Sequence, residues 1–339
     1  MAVTINDIAK IAGVSHTTVS RALKGHPALA TKTIERIRQI ADELGYVPNT
    51  VARGLKTNRS RILGVVVRRI GDPYFTEVQR GIEDVLHNHD YRMIIASSQK
   101  SAERESEIVR AMSEHRVDGV IICSSRVDPK QKDKLEKFGM PTVFINSPLD
   151  GGEVFTIQHD DVQGYQALVQ HLVKLGHTQI GYLGHALAGK TNAQRLNGFT
   201  SAMSKAKLSI NPAYMLQSEK GAPEDGEKAI RPLLTMDSPP TALVCYNDML
   251  ALGATHGLRA GGWQLPADCS ITGFDNIEIS SFLNPPLTTW HQPRYEMGQQ
   301  AATLMLDYLR CREAGLIFKP QNKMMRGELI IRQSTQPNR

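Results

Sequence analysis

The chain of 339 residues is 41% apolar and 22% charged, which is typical of a globular protein with two or three domains. Its apolar runs are too short for a membrane span and its N-terminus lacks the apolar core of a signal peptide, so we expect a cytoplasmic protein without membrane contact. The net charge of +6 falls on residues 1–61, which hold ten Lys or Arg against four Asp or Glu, whereas the rest of the chain holds 30 of each sign.

The spacing of residues 5–21 predicts a helix-turn-helix. Three residues stand at relative positions zero, four and ten, where they allow close helix packing, a sharp turn and an apolar contact: Ala9, Gly13 and Val19. Ser15 precedes the second helix and is placed to cap it. Polar residues of that helix would point outward, toward a DNA major groove: His16, Thr17 and Arg21. Because the excess positive charge coincides with this motif, we expect a nucleic-acid partner rather than a packing unit alone.

Residues 1–48 form the predicted DNA-binding head, and residues 49–61 form the hinge and linker. Helices are predicted in the head at about Ile5–Ala12, His16–Leu23 and Lys32–Leu44. Thr50–Lys56 is a short helical pattern that Asn49 is placed to cap. This segment is too short for a stable helix in water, so we expect it to fold when two copies meet on DNA, with a permanent linker helix as the alternative.

From Ile62 onward, apolar β-branched strand patterns alternate with helical ones. This alternation predicts parallel sheets with right-handed crossovers. About nine strands are many for one sheet, so we predict an α/β core of two doubly wound lobes, with a ligand cleft at the carboxyl ends of the strands. Four cysteines without the spacing of metal ligands are expected as free thiols, the first two of them buried: Cys123, Cys245, Cys269 and Cys311.

Nine motifs follow one another along the chain: Ile11–Arg21, Leu44–Lys56, Asp72–Phe75, Val117–Ile122, Leu172–Gly184, Arg195–Phe199, Tyr246–Gly253, Gly273–Asn276 and Pro285–Pro293. In this order and at these separations the chain resembles the LacI/GalR family of bacterial transcriptional repressors. The resemblance implies two lobes of periplasmic-binding-protein type, formed by residues 62–160 with about 292–320 and by residues 161–291 with about 321–339. It also implies a homodimer on a pseudo-palindromic operator, whose DNA affinity is controlled by a sugar or related metabolite between the lobes.

The resemblance assigns a set of candidate DNA-binding residues: Ser15, His16, Thr17, Thr18, Arg21, Asn49, Leu55 and Lys56. Arg21 is the candidate for a bidentate contact with guanine, and Ser15 and Thr18 would lie nearer the DNA backbone. Leu55 and Lys56 match hinge residues that enter the minor groove, where an apolar wedge can unstack a base step. A dimer is favoured over a tetramer, and an effector that releases DNA is as compatible with the sequence as one that promotes binding.

Candidate effector-binding residues stand at strand ends or match the family's cleft: Arg69, Tyr74, Phe75, Lys190, Arg195, Asn247, Asp275 and Gln292. Aromatic faces suit sugar rings, and the carboxylate of Asp275 can accept from two hydroxyls. Core packing is the alternative for Phe75 and the favoured placement for Trp290. Asn247 is expected to line the cleft, whereas Asp248 can instead cap the helix that follows.

Two features bear on the identity of the effector. Three or four cations that could approach the cleft favour a sugar acid or sugar phosphate over a neutral sugar: Arg69, Lys190, Arg195 and, as the fourth, Arg126. The alternative is that Arg68 and Arg69 simply face solvent. Residues 221–223 read Gly-Ala-Pro where purine-responsive relatives place an aromatic residue, which argues against a flat base.

Residues 184–191 also fit the phosphate-loop pattern, in which Lys190 would reach phosphates while Thr191 and Asp248 would hold magnesium. A phosphate loop runs straight into a helix, whereas here we expect the helix to begin near residues 192–195. We therefore expect a repressor with no catalytic step, cofactor or metal. The alternatives are a sugar-binding transport protein and, less favoured, a phosphate-loop NTPase.

Overall fold

The computed structural model describes residues 3–47, 59–99, 101–123, 139–146 and 155–338. The chain divides into two compact units, Met1–Ser60 and Arg61–Arg339. The helices are α1 Ile5–Ala12, α2 His16–Leu23, α3 Thr31–Glu43, α4 Pro73–Asn88, α5 Ala102–Glu114, α6 Asp161–Lys174, α7 Lys190–Lys205, α8 Pro223–Ala229, α9 Asp248–Ala260 and α10 Arg294–Glu313. The strands are β1 Ile62–Val67, β2 Arg92–Ser97, β3 Gly119–Cys123, β4 Thr142–Ile145, β5 Phe155–His159, β6 Ile180–His185, β7 Met215–Ser218, β8 Ala242–Cys245, β9 Ser270–Asp275, β10 Thr288–His291, β11 Asn322–Met325 and β12 Glu328–Ile330.

The first unit is a three-helix head whose turn and cap follow from its sequence. Gly13 ends α1 in the left-handed region with φ of 65°, a conformation that glycine adopts without steric cost. The hydroxyl of Ser15 accepts from the backbone N–H of Thr18 at 3.1 Å and caps α2. Small and β-branched side chains from the three helices fill one apolar core: Ile8, Ala9, Ala12, Val19, Ala22, Ile37 and Ala41. The predicted helix-turn-helix is confirmed.

The second unit contains two six-stranded sheets, each flanked by helices. The first has the strand order β11-β5-β4-β3-β1-β2 and the second the order β12-β10-β9-β8-β6-β7. Every pairing is parallel except that of β10 with β12. The chain passes from the first sheet to the second after β5, returns after β10 and crosses once more after β11. The predicted α/β class with two doubly wound lobes is confirmed.

The last crossing lies slightly later than the sequence suggested. We expected residues from about 321 onward in the second lobe, but β11 extends the first sheet. Its residues pair with β5 from Asn322 opposite Thr156 to Met325 opposite His159. The Thr156 hydroxyl also donates to the Asn322 side chain at 2.8 Å. These contacts between distant segments hold a strand whose Asn-Lys-Met-Met sequence shows little strand character of its own.

Helices α4 and α10 cover one face of the first sheet and touch each other backbone to backbone. A Cβ at Gly81 would lie 2.0 Å from the Tyr295 carbonyl oxygen, and one at Gly298 would lie 2.1 Å from that of Val78. Both positions therefore require glycine. This close packing places the N-termini of α4 and α10 near the junction of the two lobes.

The cysteines of the core are free thiols, and Cys123 and Cys245 are buried as predicted. Within the described ranges, the helices are too short or too polar to cross a membrane.

Candidate functional site

The outer face of α2 presents the polar side chains that the sequence singled out. Val19 and Ala22 are buried against the head core, whereas His16, Thr17 and Arg21 are exposed. The hydroxyls of Ser15 and Thr18 lie 2.9 Å apart at the start of the helix. The arrangement leaves one polar helix face available for a groove. Three further candidates, Asn49, Leu55 and Lys56, lie outside the described residues, as do the hinge helix and Arg126.

A cavity of about 90 Å³ lies between the two lobes of the core. Its lining residues come from both lobes: Arg68, Arg69, Asp72, Tyr74, Phe75, Cys123, Ile145, Asn146, His185, Thr191, Arg195, Gly221, Tyr246, Asn247 and Asp275. Six of the eight predicted effector-binding residues are among them: Arg69, Tyr74, Phe75, Arg195, Asn247 and Asp275. Lys190 and Gln292 are the two predicted residues that do not line it.

Arg195 is the most enclosed cation of the cavity, with 5% of its surface exposed. Its guanidinium carbon lies 4.2 Å from the ring centres of both Tyr246 and Phe274, an arrangement stabilised by cation–π attraction. It donates to the Tyr246 carbonyl, and its terminal nitrogen lies 3.5 Å from Asp161 and 3.7 Å from Asp275. Among the described residues, its buried Nε has no hydrogen-bond partner. This orphaned donor fits a ligand oxygen.

The pKa values of the two carboxyl groups beside Arg195 shift in opposite directions. Burial alone would raise the pKa of Asp161, but Arg195 and the hydrogen bond with His159 outweigh it, so the pKa is lowered. Burial raises the pKa of Asp275 well above its ordinary value, although Arg195 opposes the rise. Asp161 also lies nearer to the Arg195 guanidinium than Asp275 does, and it therefore supplies the main countercharge.

A chain of hydrogen bonds below the cavity joins the two lobes. Gln292, which is fully buried, donates to Asp275 at 2.6 Å and accepts from the Tyr74 hydroxyl at 3.2 Å. Asn146 in turn donates to that hydroxyl at 2.5 Å. Asp275 has φ of 114°, a strained conformation for a residue with a side chain. Gln292 thus orients Tyr74 and Asp275 from behind rather than facing the cavity itself.

A second bridge between the lobes is made by Arg294, at the start of α10. Its guanidinium donates to the carbonyl of Pro73 at 3.4 Å and to that of Asn276 at 2.8 Å. Pro73 begins α4 in the first lobe, and Asn276 follows β9 in the second. Asn276 is also held by Arg332, which donates to its side-chain oxygen at 2.7 Å. The loop that carries Asp275 is therefore fixed at the lobe junction.

Asn247 and Asp248 have separate roles. Asn247 caps α9 by accepting from the Leu250 backbone N–H at 2.9 Å, and it also lines the cavity. Asp248 is not the cap: it is 1% exposed and accepts from the Thr289 hydroxyl at 2.6 Å and from the Ile277 backbone N–H at 2.8 Å. Burial raises its pKa to about 7, although both hydrogen bonds oppose that rise.

The aromatic candidates divide between core and cavity. Phe75 is 8% exposed within the core of the first lobe, yet it also lines the cavity, edge-on to Tyr74 at 5.0 Å between ring centres. Trp290 is buried in the core, where its indole N–H donates to His159 at 3.0 Å. The core placement favoured for Trp290 is confirmed.

The helix that follows the phosphate-loop pattern begins earlier than expected. Helix α7 begins at Lys190, so the expectation of a start near residue 192 is wrong. A 3₁₀ turn at Ala186–Ala188 and Gly189, with φ of 59°, lead directly into α7. Lys190 is exposed outside the cavity, whereas Thr191 faces into it. Both carboxylate oxygens of Asp248 are engaged by protein donors, which leaves this group poorly placed to bind magnesium. Across the described ranges, no group of three or more His, Cys, Asp or Glu residues is arranged to hold a metal ion.

Sequence reasoning did not name several cavity residues that lie at strand ends: Arg68, Asn146, His185 and Tyr246. Each directly follows or closes one of β1, β4, β6 and β8, so the rule that ligands bind beyond carboxyl ends of parallel strands would have found them. Gly221 also lines the cavity, where a Cβ would come within 3.1 Å of the His185 ring. The His185 ring thus occupies the space that a side chain at position 221 would need.

Comparison with known proteins agrees with this architecture. Residues 4–49 match the family described as bacterial regulatory proteins, lacI family, and residues 169–335 match the periplasmic binding protein-like domain. The chain is 35% identical over 334 residues to the HTH-type transcriptional repressor PurR of Haemophilus influenzae strain PittEE, with 98% of each chain covered. It is 34% identical to the HTH-type transcriptional repressor CytR of Escherichia coli strain K12, covering 98% of this chain and 96% of that protein.

Two solved structures are similar to the whole chain or to most of it. The lac repressor dimer bound to operator and the anti-inducer ONPF is 27% identical with a TM-score of 0.87, covering 99% of this chain and all of the other. A LacI family transcriptional regulator from Enterococcus faecium with bound ribose is 30% identical with a TM-score of 0.73, covering 82% of this chain and all of the other. The chain therefore belongs to the lacI family of bacterial regulatory proteins, as a transcriptional regulator built from a helix-turn-helix head and a periplasmic-binding-protein-like core.

Proposed function

We propose that this protein represses transcription by binding operator DNA through α2, and that a small metabolite in the interlobe cavity controls its affinity for the operator. His16, Thr17 and Arg21 contact base edges in the major groove, while Ser15 and Thr18 contact the DNA backbone. The observation that carries the proposal is the exposed polar face of α2 within residues 1–61, the segment that bears all the excess positive charge of the chain.

The interlobe cavity supports the proposed control of operator affinity by a metabolite. It contains ring faces, hydroxyl-binding groups and a buried cation, which is the mixture expected for a polar small molecule. Asp275, Arg195 and Asn247 contact the effector, and Gln292 positions Asp275 and Tyr74. Because the lining comes from both lobes, a bound effector stabilises one arrangement of the lobes over others. In this proposal Asn49, Leu55 and Lys56 transmit that arrangement to DNA at the hinge.

A homodimer is supported by apolar side chains that the core leaves exposed. Ile279 and Phe282 in the second lobe are 47% and 75% exposed, and Ile70 and Ile94 in the first are 57% and 46% exposed. Exposed apolar side chains of this size are common at protein interfaces. Two heads on one dimer would read the two halves of a pseudo-palindromic operator. Because the proposed target is DNA, we expect the protein in the cytoplasm.

Binding to duplexes from the region upstream of the protein's own gene tests the proposal. Fluorescence anisotropy should show tighter binding to one of these duplexes than to shuffled duplexes of equal length, and candidate sugars should change that affinity. Equal affinity for all duplexes would contradict sequence-specific repression, and binding to none of them would favour a sugar-binding protein without a DNA role.

We also propose that the protein has no catalytic step. The buried, doubly hydrogen-bonded Asp248 supports this, because it gives the phosphate-loop pattern no second magnesium ligand. Phosphate release from ATP and magnesium should match the buffer blank for the native protein and for Lys190→Ala. Hydrolysis that disappears in Lys190→Ala would instead identify an NTPase.

A further inference from the structure

Among the described residues that line the interlobe cavity, guanidinium groups outnumber carboxylates. Arg68, Arg69 and Arg195 line it, against Asp72 and Asp275. Arg195 is balanced by Asp161 behind it, at 3.5 Å. Asp72 is engaged at the start of α4, where its carboxylate accepts from the Tyr74 backbone N–H at 3.1 Å. At the end of β1 the described lining carries Arg68 and Arg69 side by side.

Arg68 and Arg69 directly follow the last residue of β1, at the edge of the sheet where ligands bind. The exposed guanidinium of Arg69 makes no ion pair or hydrogen bond with the described residues. Arg68 is half-buried and acts across the cleft. Burial raises the pKa of Tyr246 in the second lobe, and the charges of Arg195 and Arg68 oppose that rise. Two adjacent cations therefore line the cavity from the first lobe.

The lining also contains hydroxyl-binding groups from both lobes. Asp275, Asn247, Asn146 and Thr191 offer carboxyl, amide and hydroxyl groups, all of which pair with alcohol groups. The cavity volume of about 90 Å³ is several times the minimum needed to hold one water molecule, so the cavity admits a small polar ligand.

We propose that the effector is a small polyhydroxy compound bearing a carboxylate or phosphate, which Arg68 and Arg69 hold while its hydroxyls face Asp275, Asn247 and Asn146. This inference rests on the proposed role of the cavity as the effector site. Carboxylate and phosphate share the recognition chemistry, because both accept charge-assisted hydrogen bonds from guanidinium groups. The orphaned Nε of Arg195 is a further unused donor on a lining residue.

Isothermal titration calorimetry with matched probes tests the assignment. One set of probes is glucose, gluconate and glucose 6-phosphate, and a second set is ribose and ribose 5-phosphate. Binding of inorganic phosphate alone is measured by ³¹P NMR line broadening. The sugar acid or the sugar phosphate should bind more tightly than its neutral parent sugar. Whichever of the two anions has the higher affinity identifies the anionic group of the effector. Arg69→Ala should weaken binding of that anion about tenfold to a hundredfold and leave binding of the parent sugar unchanged.

Arg110→Ala is the matched control, since Arg110 is an exposed arginine on α5 that pairs with Glu114 far from the cavity lining. It should leave binding of every probe unchanged. The inference is overturned if the neutral sugars bind more tightly than their anionic counterparts. It is also overturned if Arg69→Ala leaves the affinity for every anionic probe unchanged. Operator binding of the same preparations separates this outcome from failure of the proposed function, because sequence-specific DNA binding by the native protein persists if the anion assignment alone is wrong.

Discussion

The head and the core hold their functional polar groups in different surroundings. On α2 the side chains proposed to read DNA are exposed and come from one short segment, whereas Arg195, Asp161 and Asp275 in the core are at least nine-tenths buried and come from three distant segments. The exposed groups contact water until the partner binds, so their contribution to binding comes mainly from contacts with that partner. Buried groups also determine whether the fold is stable, because an unpaired buried charge is costly. Substitutions in the head should therefore change binding alone, and those in the core should change stability and binding together.

The largest expected effect is that of Arg195→Ala. Removing this guanidinium leaves Asp161 buried without its countercharge, which should cost about 3–5 kcal/mol in the free energy of unfolding and abolish effector binding. Urea denaturation and calorimetry measure the two effects. Arg110→Ala, which removes an exposed arginine, should stay within about 0.5 kcal/mol of the native protein. Native stability in Arg195→Ala would mean that the buried ion pair is not needed.

The next effect concerns pH and Asp248. Its pKa is about 7 in the fold and about 4 when unfolded, so the unfolded chain holds fewer protons between these values and stability falls as pH rises through that window. Asp248→Asn keeps both hydrogen bonds if Thr289 reverses its hydroxyl. Relative to this variant, the native protein should lose up to about 4 kcal/mol between about pH 4 and pH 7 and no more above pH 7. A stability difference between the two proteins that does not change with pH would contradict the buried, protonated state.

In the head, Arg21→Ala should weaken operator binding by about 1–3 kcal/mol and relax specificity at one base pair, with no change in melting temperature. Arg36→Ala removes an equal charge from an exposed position on α3 and should leave sequence preference intact. Competition binding with operators changed at single base pairs distinguishes the two. Equal loss of affinity for all sequences in Arg21→Ala would identify Arg21 as a phosphate contact.

The smallest expected effect is that of Tyr74→Phe. It removes one hydroxyl that bridges Gln292 and Asn146 between the lobes, and should weaken effector binding by about 0.5–1.5 kcal/mol. Tyr295→Phe is the control, because that hydroxyl bonds to Asp84 on the outer surface. A larger effect for the control than for Tyr74→Phe would show that the interlobe chain of hydrogen bonds has no part in binding.

Features that depend on local sequence were predictable. The spacing of Ala9, Gly13 and Val19 and the cap at Ser15 predict the head because a helix-turn-helix is specified within about twenty residues. The two lobes follow from the alternation of strand and helix patterns. The same rule, applied at every strand end, would have added Arg68 and His185 to the cavity.

Features that depend on contacts between distant segments were not predictable. β11 joins the first sheet through pairing with a strand more than 150 residues earlier. The start of α7 at Lys190 is a local exception: it depends on the turn at Gly189, and the prediction relied instead on the family pattern farther along the helix. The position of Gln292 behind Asp275, and the shifted pKa values of Asp161 and Asp275, arise from burial and charges that three-dimensional packing alone determines.

Selection of bound duplexes from a random DNA library, repeated at several salt concentrations, tests the central claim most directly. The account predicts enrichment of a pseudo-palindrome whose binding constant falls steeply as salt rises, with the enrichment lost in Arg21→Ala. Recovery of no preferred sequence, or attachment to duplex DNA that does not depend on salt, would contradict it.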